Sequence, residues 1–532
     1  MKAEAEIDGA MADYWLRRFG SEAEKAAFAE AFTAVQSALA AGHTLLELSE
    51  LTEPAINHPL LIGDVRQGQY AAPLLSDGEY LWLNRIYQSE QALAKDILTR
   101  LAARPAPLDL DETTIAAYCQ SLNQEQSRAV RQALSHGFTM INGGPGTGKT
   151  STVAQLVALL AAAGQTERLA LAAPTGKAAK RMEEALNKSL KEAGAEIKIA
   201  AAQTLHRLLG INGEGKAYYH RENPLPHRVI IIDEASMLSL ELAAQLFAAV
   251  AADARLILLG DADQLAAVEA GAVLQDLSRH PRLQDALVTL KENYRFGTQS
   301  GIGQLAQLVL QGDAAVEKLA ACFAHYDNIH HYELESDIYQ QLAQGYAPYF
   351  AALNAGATAQ TLLSTFDEYR ILLASHHGVL GTAEINRRLR HIHLQQVNLA
   401  YRGGHFHGLP LMITANDYRN EVFNGDIGLC LEDENGRLRL HLPHKQVLIE
   451  RLNPAHLQEA YALTIHKSQG SEFRHVALVL AAGQQDKLLS RELLYTGITR
   501  AKEQLSLYAP IATLQAAIRQ PTQRSTGLER FL

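Results

Sequence analysis

The strongest constraint on this chain is an octapeptide, GGPGTGKT at Gly143 to Thr150. It stands between a short apolar run, Phe138 to Asn142, and a stretch in which Val153, Leu156, Val157 and Leu160 recur at helical spacing. A glycine-rich turn joining a buried strand to a helix is the P-loop arrangement: backbone N–H groups wrap phosphate oxygens, a lysine reaches the β and γ oxygens, and a hydroxyl ligates Mg²⁺. Gly143, Gly144, Pro145, Gly146, Thr147, Gly148, Lys149 and Thr150 are therefore expected to hold ATP, with Thr150 on the magnesium ion.

Further apolar runs follow at Leu169 to Ala173, Val229 to Ile232 and Leu256 to Leu259, separated by helical stretches. That alternation predicts an α/β domain with a parallel sheet covered on both faces. The run VIII ends in Asp233 and Glu234, expected to hold the Mg²⁺ shell and to orient or deprotonate the attacking water, respectively. Gly260-Asp261-Ala262-Asp263-Gln264-Leu265 ends another run, which places Gln264 to sense the γ-phosphate. A second alternating set runs through Arg370 to Ala374, Glu384 to Val397, Val476 to Leu480 and Leu505 to Leu507. Between its halves, Asn424-Gly425 and Asn435-Gly436 punctuate period-two runs, the signature of hairpins and here of a small inserted β-barrel.

Pro105 and Pro107, followed by Asp109, Asp111 and Glu112, read as a linker, because neither a helix nor a buried strand continues through them. The expected organisation is a mostly helical N-terminal domain over 1–112 and a first α/β domain over 113–297 with a projecting hairpin at 211–223. A second α/β domain over 298–532 carries the barrel at about 400–460.

The 532 residues carry 48 basic and 58 acidic side chains, net -10, which excludes a generally basic coat but not a local basic track. Residues 1–112 hold 9 basic and 18 acidic groups, leaving 39 against 40 for the rest, so the acidity is N-terminal. That makes DNA contact by this segment unfavourable and docking to larger protein subunits its expected role, with packing against the rest of the chain as the alternative. Cys119, Cys322 and Cys430 form neither a disulfide framework nor a zinc pattern, as expected of a reducing, cytoplasmic compartment. Glu4, Glu6, Asp8 and Asp13 do not suit a secretory leader, and no apolar run is long enough to span a membrane.

The motifs occur in a telling order. Gln126 lies in LNQEQ, followed by PTGKAA from Pro174, TLHRLLG from Thr204, DEAS, GDADQL and NYRF from Asn293. AYALTIHKSQGSEF from Ala460 and LLYTGITRAK from Leu493 complete the set. Over residues 120 to 532 this resembles the superfamily 1 DNA helicases. With SGIGQLA at Ser300 and FNGDIG at Phe423, the wording is similar to the motor subunits of bacterial exonuclease V helicase–nuclease complexes, which act in double-strand break repair.

The resemblance implies two RecA-like domains, an SH3-like barrel, and an ATP-driven motor moving 5′ to 3′ on single-stranded DNA. It implies a heterotrimer with RecB-like and RecC-like subunits acting on duplex ends. It assigns Gln126 to adenine, Arg295 and Arg500 to the γ-phosphate, and Glu472 to the ribose. A guanidinium brought across from the second domain stabilises growing phosphoryl charge only when the cleft closes. For DNA phosphates it implies Thr175, Lys177, Thr204, His206, Thr464, His466, Lys467 and Ser468, and for the 211–223 hairpin a strand-separating role.

The alternatives are a free-standing helicase, a P-loop NTPase that does not unwind, and a structural subunit with a retired motor. The paired motifs of the second domain argue against the second. The full set Lys149, Thr150, Asp233, Glu234, Gln264, Arg295 and Arg500 argues against the third. His376-His377, His391, His393, His405 and His407 lack neighbouring Cys or carboxylate ligands at metal spacing, and no nuclease-type acidic and lysine cluster stands outside the ATPase motifs. DNA cleavage is expected on another subunit.

Overall fold

The computed structural model describes residues 14, 17, 22–51, 60–192, 197, 199–296, 300–397, 404–417, 419–481 and 489–532. The N-terminal carboxylates Glu4, Glu6, Asp8 and Asp13 and the domain boundary near 297 fall outside the described residues.

Two parallel sheets organise the molecule. The first runs, edge to edge, Leu287–Thr289, Phe138–Asn142, Arg255–Gly260, Val229–Ile232, Leu169–Ala173 and Gln203–Thr204, with every neighbour parallel. Its strands are apolar on both faces because both are covered. Ile230 and Ile232 join one core with Phe138, Phe247 and Leu256, while Ile231 joins the other with Val153, Val157, Leu160 and Leu186. The second sheet runs Ile329–Tyr332, Ala501–Tyr508, Phe473–Val479, Tyr369–Leu373 and Ala462–Thr464, again all parallel. The helices Ile338–Gln344, Ala347–Asn354 and Ala359–Asp367 pack beside it and carry no motif legible in the sequence.

The inserted segment forms a five-stranded antiparallel sheet in the order Lys445–Leu448, Leu438–Leu442, Ile427–Glu432, Leu409–Ile413 and Leu457–Glu459. Asn435-Gly436 turns the hairpin between two of these strands, with Gly436 at φ 71° and the Asp433 carboxylate accepting from the backbone N–H of Asn435 and Arg437. Asn424-Gly425 lies instead in the longer loop leading to Ile427.

The N-terminal segment combines two 19-residue helices, Glu22–Ala40 and Asn84–Ala102, with an unanticipated four-stranded sheet of very short strands. Nor is it a separate module. Phe28, Trp82, Leu93 and Ile97 share one continuous core with Phe138, Leu246 and Phe247 of the first α/β domain. The buried Arg100 guanidinium donates to the carbonyls of Val250 and Ala251, and Asp96 pairs with Arg221 at 2.8 Å. The C-terminal residues close the seam, with Leu528 and Leu532 in the same core and the Phe531 ring edge-on to Tyr87 at 5.1 Å. Among the described residues of this segment, packing against the rest of the chain is thus the arrangement found.

The hairpin expected at 211–223 is not one. Asn212 accepts from the N–H groups of Glu214 and Lys216, and a single bridge joins His220 to Asn223, with no regular strand between Leu209 and Val229. Gly213 and Gly215 lie too close together, with no alternating apolar face to pair, and Arg221 is drawn to Asp96. Tyr218 remains exposed, its ring edge-on to Tyr219 at 5.0 Å. Among the described residues no helix is long and apolar enough to cross a membrane, and Cys119, Cys322 and Cys430 are free and buried.

Candidate functional site

The P-loop sits where the sheet strand Phe138–Asn142 passes into the helix Lys149–Ala162. Gly146 and Gly148 adopt φ 85° and 83°, the left-handed region open to glycine. A Cβ on Gly148 would lie 2.2 Å from Gln126 Nε2, and one on Gly146 would lie 2.4 Å from Arg295 Cβ. The loop is therefore a bare-backbone cradle pressed between side chains that belong to the same site. Lys149 Nζ donates to the carbonyls of Gly143 and Gly144, and Thr147 Oγ1 donates to Gly144 O at 2.9 Å.

Gln126 is fixed by its own helix start. Asn123 caps Gln124–Ser135 in a reciprocal capping box: Gln126 Oε1 accepts from Asn123 N at 3.1 Å, while Gln126 Nε2 donates to Thr147 O at 3.3 Å. Above it, Tyr294 Oη donates to Glu292 at 2.9 Å and accepts from Asn123 Nδ2 at 2.8 Å. This exposed ring lines the cleft beside Gln126 and was not singled out from the sequence.

Together with Gln126, Gly146, Lys149 and Thr150, a cleft of about 660 Å³ is lined by Asp233, Glu234, Gln264, Arg295, Glu472 and Arg500. Of the P-loop, Pro145 and Gly148 also line it, while Gly143, Gly144 and Thr147 shape the loop from behind. Burial and the neighbouring Glu234 push the Asp233 carboxyl up, and Lys149 and Arg181 oppose that rise. Glu234 sits at φ 54°, a left-handed conformation rare outside glycine, at the end of the strand Val229–Ile232.

The two domains meet across this cleft. Gln264 Nε2 donates to Asp261 Oδ2 at 2.9 Å, and Gln264 Oε1 accepts from Arg500 Nη2 at 2.7 Å. Arg500 also donates to Thr496 O and Ser471 O. The residue is 2% exposed, and burial lowers its pKa. Glu472, for which the resemblance implies a ribose contact, lines the cleft between two guanidiniums: Arg181 on one side and Arg295 at 2.7 Å on the other. Burial alone would raise its carboxyl, but those arginines hold it down to about 2. Arg181, on the helix Gly176–Glu192, is a second residue missed from the sequence. Arg295 Nη1 is buried without a hydrogen-bond partner. The bare-backbone cradle, the lysine, the unsatisfied guanidinium donor and the Thr150–Asp233–Glu234 oxygen set fit a magnesium nucleoside triphosphate.

Three threonines of the expected DNA track share one device. Thr175 Oγ1 accepts from Ala178 N, Thr204 Oγ1 from Arg207 N, and Thr464 Oγ1 from Lys467 N, so each hydroxyl is oriented by backbone and keeps its own hydrogen to donate. His206 and Lys467 are exposed, the latter donating to Gln458 Oε1 at 2.8 Å. His466 is partly buried, and burial lowers its pKa. Lys177 lies toward the second domain, 5.9 Å from the Phe473 ring centroid, and burial draws its ammonium down to about 8. Ser468 departs from expectation. The turn His466–Ser468 points its hydroxyl inward, fully buried and bonded to Ile465 O at 2.7 Å, which removes it from any DNA surface.

The histidines are structural neighbours. His393 Nδ1 lies 2.6 Å from the Tyr461 hydroxyl and His376 Nδ1 lies 2.6 Å from Thr382 Oγ1.

An AAA domain family matches residues 126–270, and a UvrD-like helicase C-terminal domain family matches residues 459–508. The chain is 37% identical over 487 residues to the RecBCD enzyme subunit RecD of Mycolicibacterium smegmatis, covering 87% of this chain and 85% of that protein. It is 34% identical over 469 residues to the Haemophilus influenzae RecBCD enzyme subunit RecD, covering 76% and 72%. The ATP-dependent RecD2 DNA helicase of Deinococcus radiodurans is 31% identical over 498 residues, covering 91% of this chain and 62% of that protein. Among solved structures, a Bacteroides Pif1 helicase aligns with a TM-score of 0.43 at 16% identity, covering 73% of this chain and 92% of that one. With a matching AAA domain, a matching UvrD-like helicase C-terminal domain and the likeness to RecBCD enzyme subunits RecD over most of both chains, the chain belongs to the RecD family.

Proposed function

We propose that this protein is an ATP-driven motor that tracks along single-stranded DNA and separates duplex strands as one subunit of a RecBCD-type helicase–nuclease complex. The observation that carries the reading is the cross-cleft bond from Arg500 to Gln264, because it joins the second α/β domain to the nucleotide site of the first. Hydrolysis then has a mechanical consequence, since whatever moves Arg500 moves the domain behind it.

In this reading the P-loop and Lys149 hold the phosphates, and Tyr294 and Gln126 receive the adenine. Thr150 and Asp233 would hold Mg²⁺, which neutralises charge on the β and γ oxygens. Glu234 orients the attacking water, and Arg295 and Arg500 stabilise the charge that grows on the transferred phosphoryl group. Thr175, Thr204, Thr464, Lys177, His206, His466 and Lys467 contact DNA backbone without reading sequence. The inserted sheet plays the part of an SH3-like barrel, the exposed Tyr218 turn that of a strand-separating element, and the two parallel-sheet domains that of RecA-like halves. The outward face of residues 22–102 docks to RecB-like and RecC-like subunits, and nuclease chemistry resides there.

The relatives named as RecBCD subunits support the assembly, and the family resemblance supports a 5′ to 3′ direction and a cytoplasmic setting. The likeness to the Deinococcus RecD2 helicase favours a second reading, a motor working alone. Unwinding of duplexes with a 5′ or a 3′ single-stranded tail, by the lone chain and by the complex isolated from native cells, tests both. Unwinding from the 5′ tail and two larger co-purifying subunits are expected. Activity without any partner selects the second reading, and no unwinding in either preparation contradicts both.

A further inference from the structure

Behind the Arg500–Gln264 contact lies a longer buried chain that begins at the P-loop. Tyr495, in the helix Arg491–Thr499 of the second domain, donates its hydroxyl to Asp261 Oδ2 at 3.1 Å. The same oxygen accepts from Gln264 Nε2 at 2.9 Å, and Gln264 Oε1 accepts from Arg500 Nη2 at 2.7 Å. A Cβ on Gly144 would lie 2.8 Å from the Tyr495 hydroxyl, so that hydroxyl rests on the bare P-loop backbone. The carbonyl of Gly144 receives Lys149 Nζ at 3.1 Å and Thr147 Oγ1 at 2.9 Å. Two bonds brace the chain from the side: Leu265 N donates to Thr496 Oγ1 at 2.9 Å, and Gln469 Nε2 donates to Leu265 O at 2.8 Å.

Tyr495, Asp261, Gln264 and Arg500 are all buried, which leaves no bulk water to replace a lost partner. Burial and the adjoining Asp261 also raise the Tyr495 pKa well above 10, so its hydroxyl remains a donor throughout the working range. A phosphate in the cradle would compete with the Gly143 and Gly144 carbonyls for Lys149 Nζ. The backbone on which the Tyr495 hydroxyl rests is therefore the part of the loop whose interactions change.

We propose that Tyr495 is a positioning residue for ATP hydrolysis, relaying the state of the P-loop through Asp261 and Gln264 to Arg500 across the domain boundary. This rests on the motor reading above. Tyr495 touches no phosphate in this scheme; it acts through Gln264.

The test is Tyr495→Phe, which removes one oxygen and keeps the ring. Turnover and KM for MgATP with single-stranded DNA, together with the melting temperature, are compared for wild type, Tyr495→Phe, Gln264→Ala and the double variant. A roughly tenfold fall in kcat is expected, with KM within about twofold and melting within about two degrees, on the scale of one lost transition-state hydrogen bond. The double variant is expected to be no slower than Gln264→Ala alone, because the relay is already cut there. Wild-type kcat in Tyr495→Phe, a loss confined to KM, or a double variant slower than both singles would each overturn the proposal. Should the phenylalanine variant not fold, Asp261→Ala removes the oxygen that both Tyr495 and Gln264 use and carries the same readouts. Wild-type protein without DNA-stimulated turnover would instead remove the motor reading itself, a result distinguishable from every failure of the relay.

Discussion

Replacing Glu472 by glutamine should loosen the cleft between the two parallel-sheet domains and tighten nucleotide binding at the same time. The carboxylate is 8% exposed, paired with Arg181 and, at 2.7 Å, with Arg295, and Lys502 stands 3.8 Å away. A carboxyl with an ordinary value of 4.5 that is held down to about 2 favours its charged form in the folded protein by about 3 kcal/mol. Because the folded value is depressed, that stability is present above about pH 4.5 and is lost as the pH falls toward 2. Glutamine keeps the shape and removes the charge, leaving two guanidiniums side by side, which places the loss at the lower end of the roughly 3–5 kcal/mol for breaking a buried pair. At roughly 2–4 °C per kcal/mol for a domain of this size, melting should fall by roughly 6–12 °C.

Arg295, released from its partner, is then free for the γ-phosphate, so the variant should bind MgATP several-fold more tightly. Calorimetric melting and titration with a fluorescent nucleotide measure the two effects. Melting unchanged within a degree or two would refute the ion-pair energetics. Weaker nucleotide binding would return Glu472 to the ribose contact that the family resemblance implies.

Arg500→Ala should still bind nucleotide yet lose turnover by roughly 10³-fold, since the buried guanidinium has only neutral hydrogen-bond partners and, in the role proposed for it, meets the charge developing on the phosphoryl group; titration beside a coupled ATPase assay separates the two losses. Lys467→Ala should weaken single-strand binding and reduce the salt slope by about 0.7, whereas Ser468→Ala, whose hydroxyl is buried, should leave both unchanged in fluorescence anisotropy. Glu90 is buried and pushed up to about 7, accepting from Thr44 Oγ1, Trp82 Nε1 and Gly527 N. A raised carboxyl stabilises docking below its unfolded value, and that contribution is lost as the pH rises through about 7, so tryptic release of the C-terminal segment, divided by the cleavage rate of an unstructured reference peptide at the same pH, should be faster at pH 8.5 than at pH 6; Glu90→Gln should abolish that normalised difference.

What could be read from residues alone was whatever short-range pattern decides. Four-residue and longer apolar strands, the P-loop glycines and the Asp233-Glu234 pair at a strand end stand where their local pattern puts them. The N-terminal sheet was illegible because three of its four strands, such as Leu46–Glu47, run only two or three residues, too short to show a period. Arg181 reads as an ordinary solvated arginine on an amphipathic helix, and only the fold brings Glu472 to it. Ser468 carries motif wording, yet a single 3₁₀ turn sets its hydroxyl inward, a choice no spacing rule encodes. Pro105 and Pro107 mark residues 1–112 as a domain of their own, but Phe28, Trp82, Leu93 and Ile97 share a core with Phe138 and Phe247, a long-range match invisible in either segment alone.

The central claim, that nucleotide hydrolysis in this cleft is coupled to single-stranded DNA, is tested most directly by turnover of wild type and Lys149→Ala with and without an unstructured oligonucleotide. Lys149 is the ammonium proposed to hold the phosphates, and it donates to the carbonyls of Gly143 and Gly144. Wild-type turnover should rise steeply when DNA is added, and the variant should stay below a tenth of it while retaining its fold by circular dichroism and its affinity for DNA. Wild-type turnover indifferent to DNA, or a variant that hydrolyses ATP like wild type, would contradict the account.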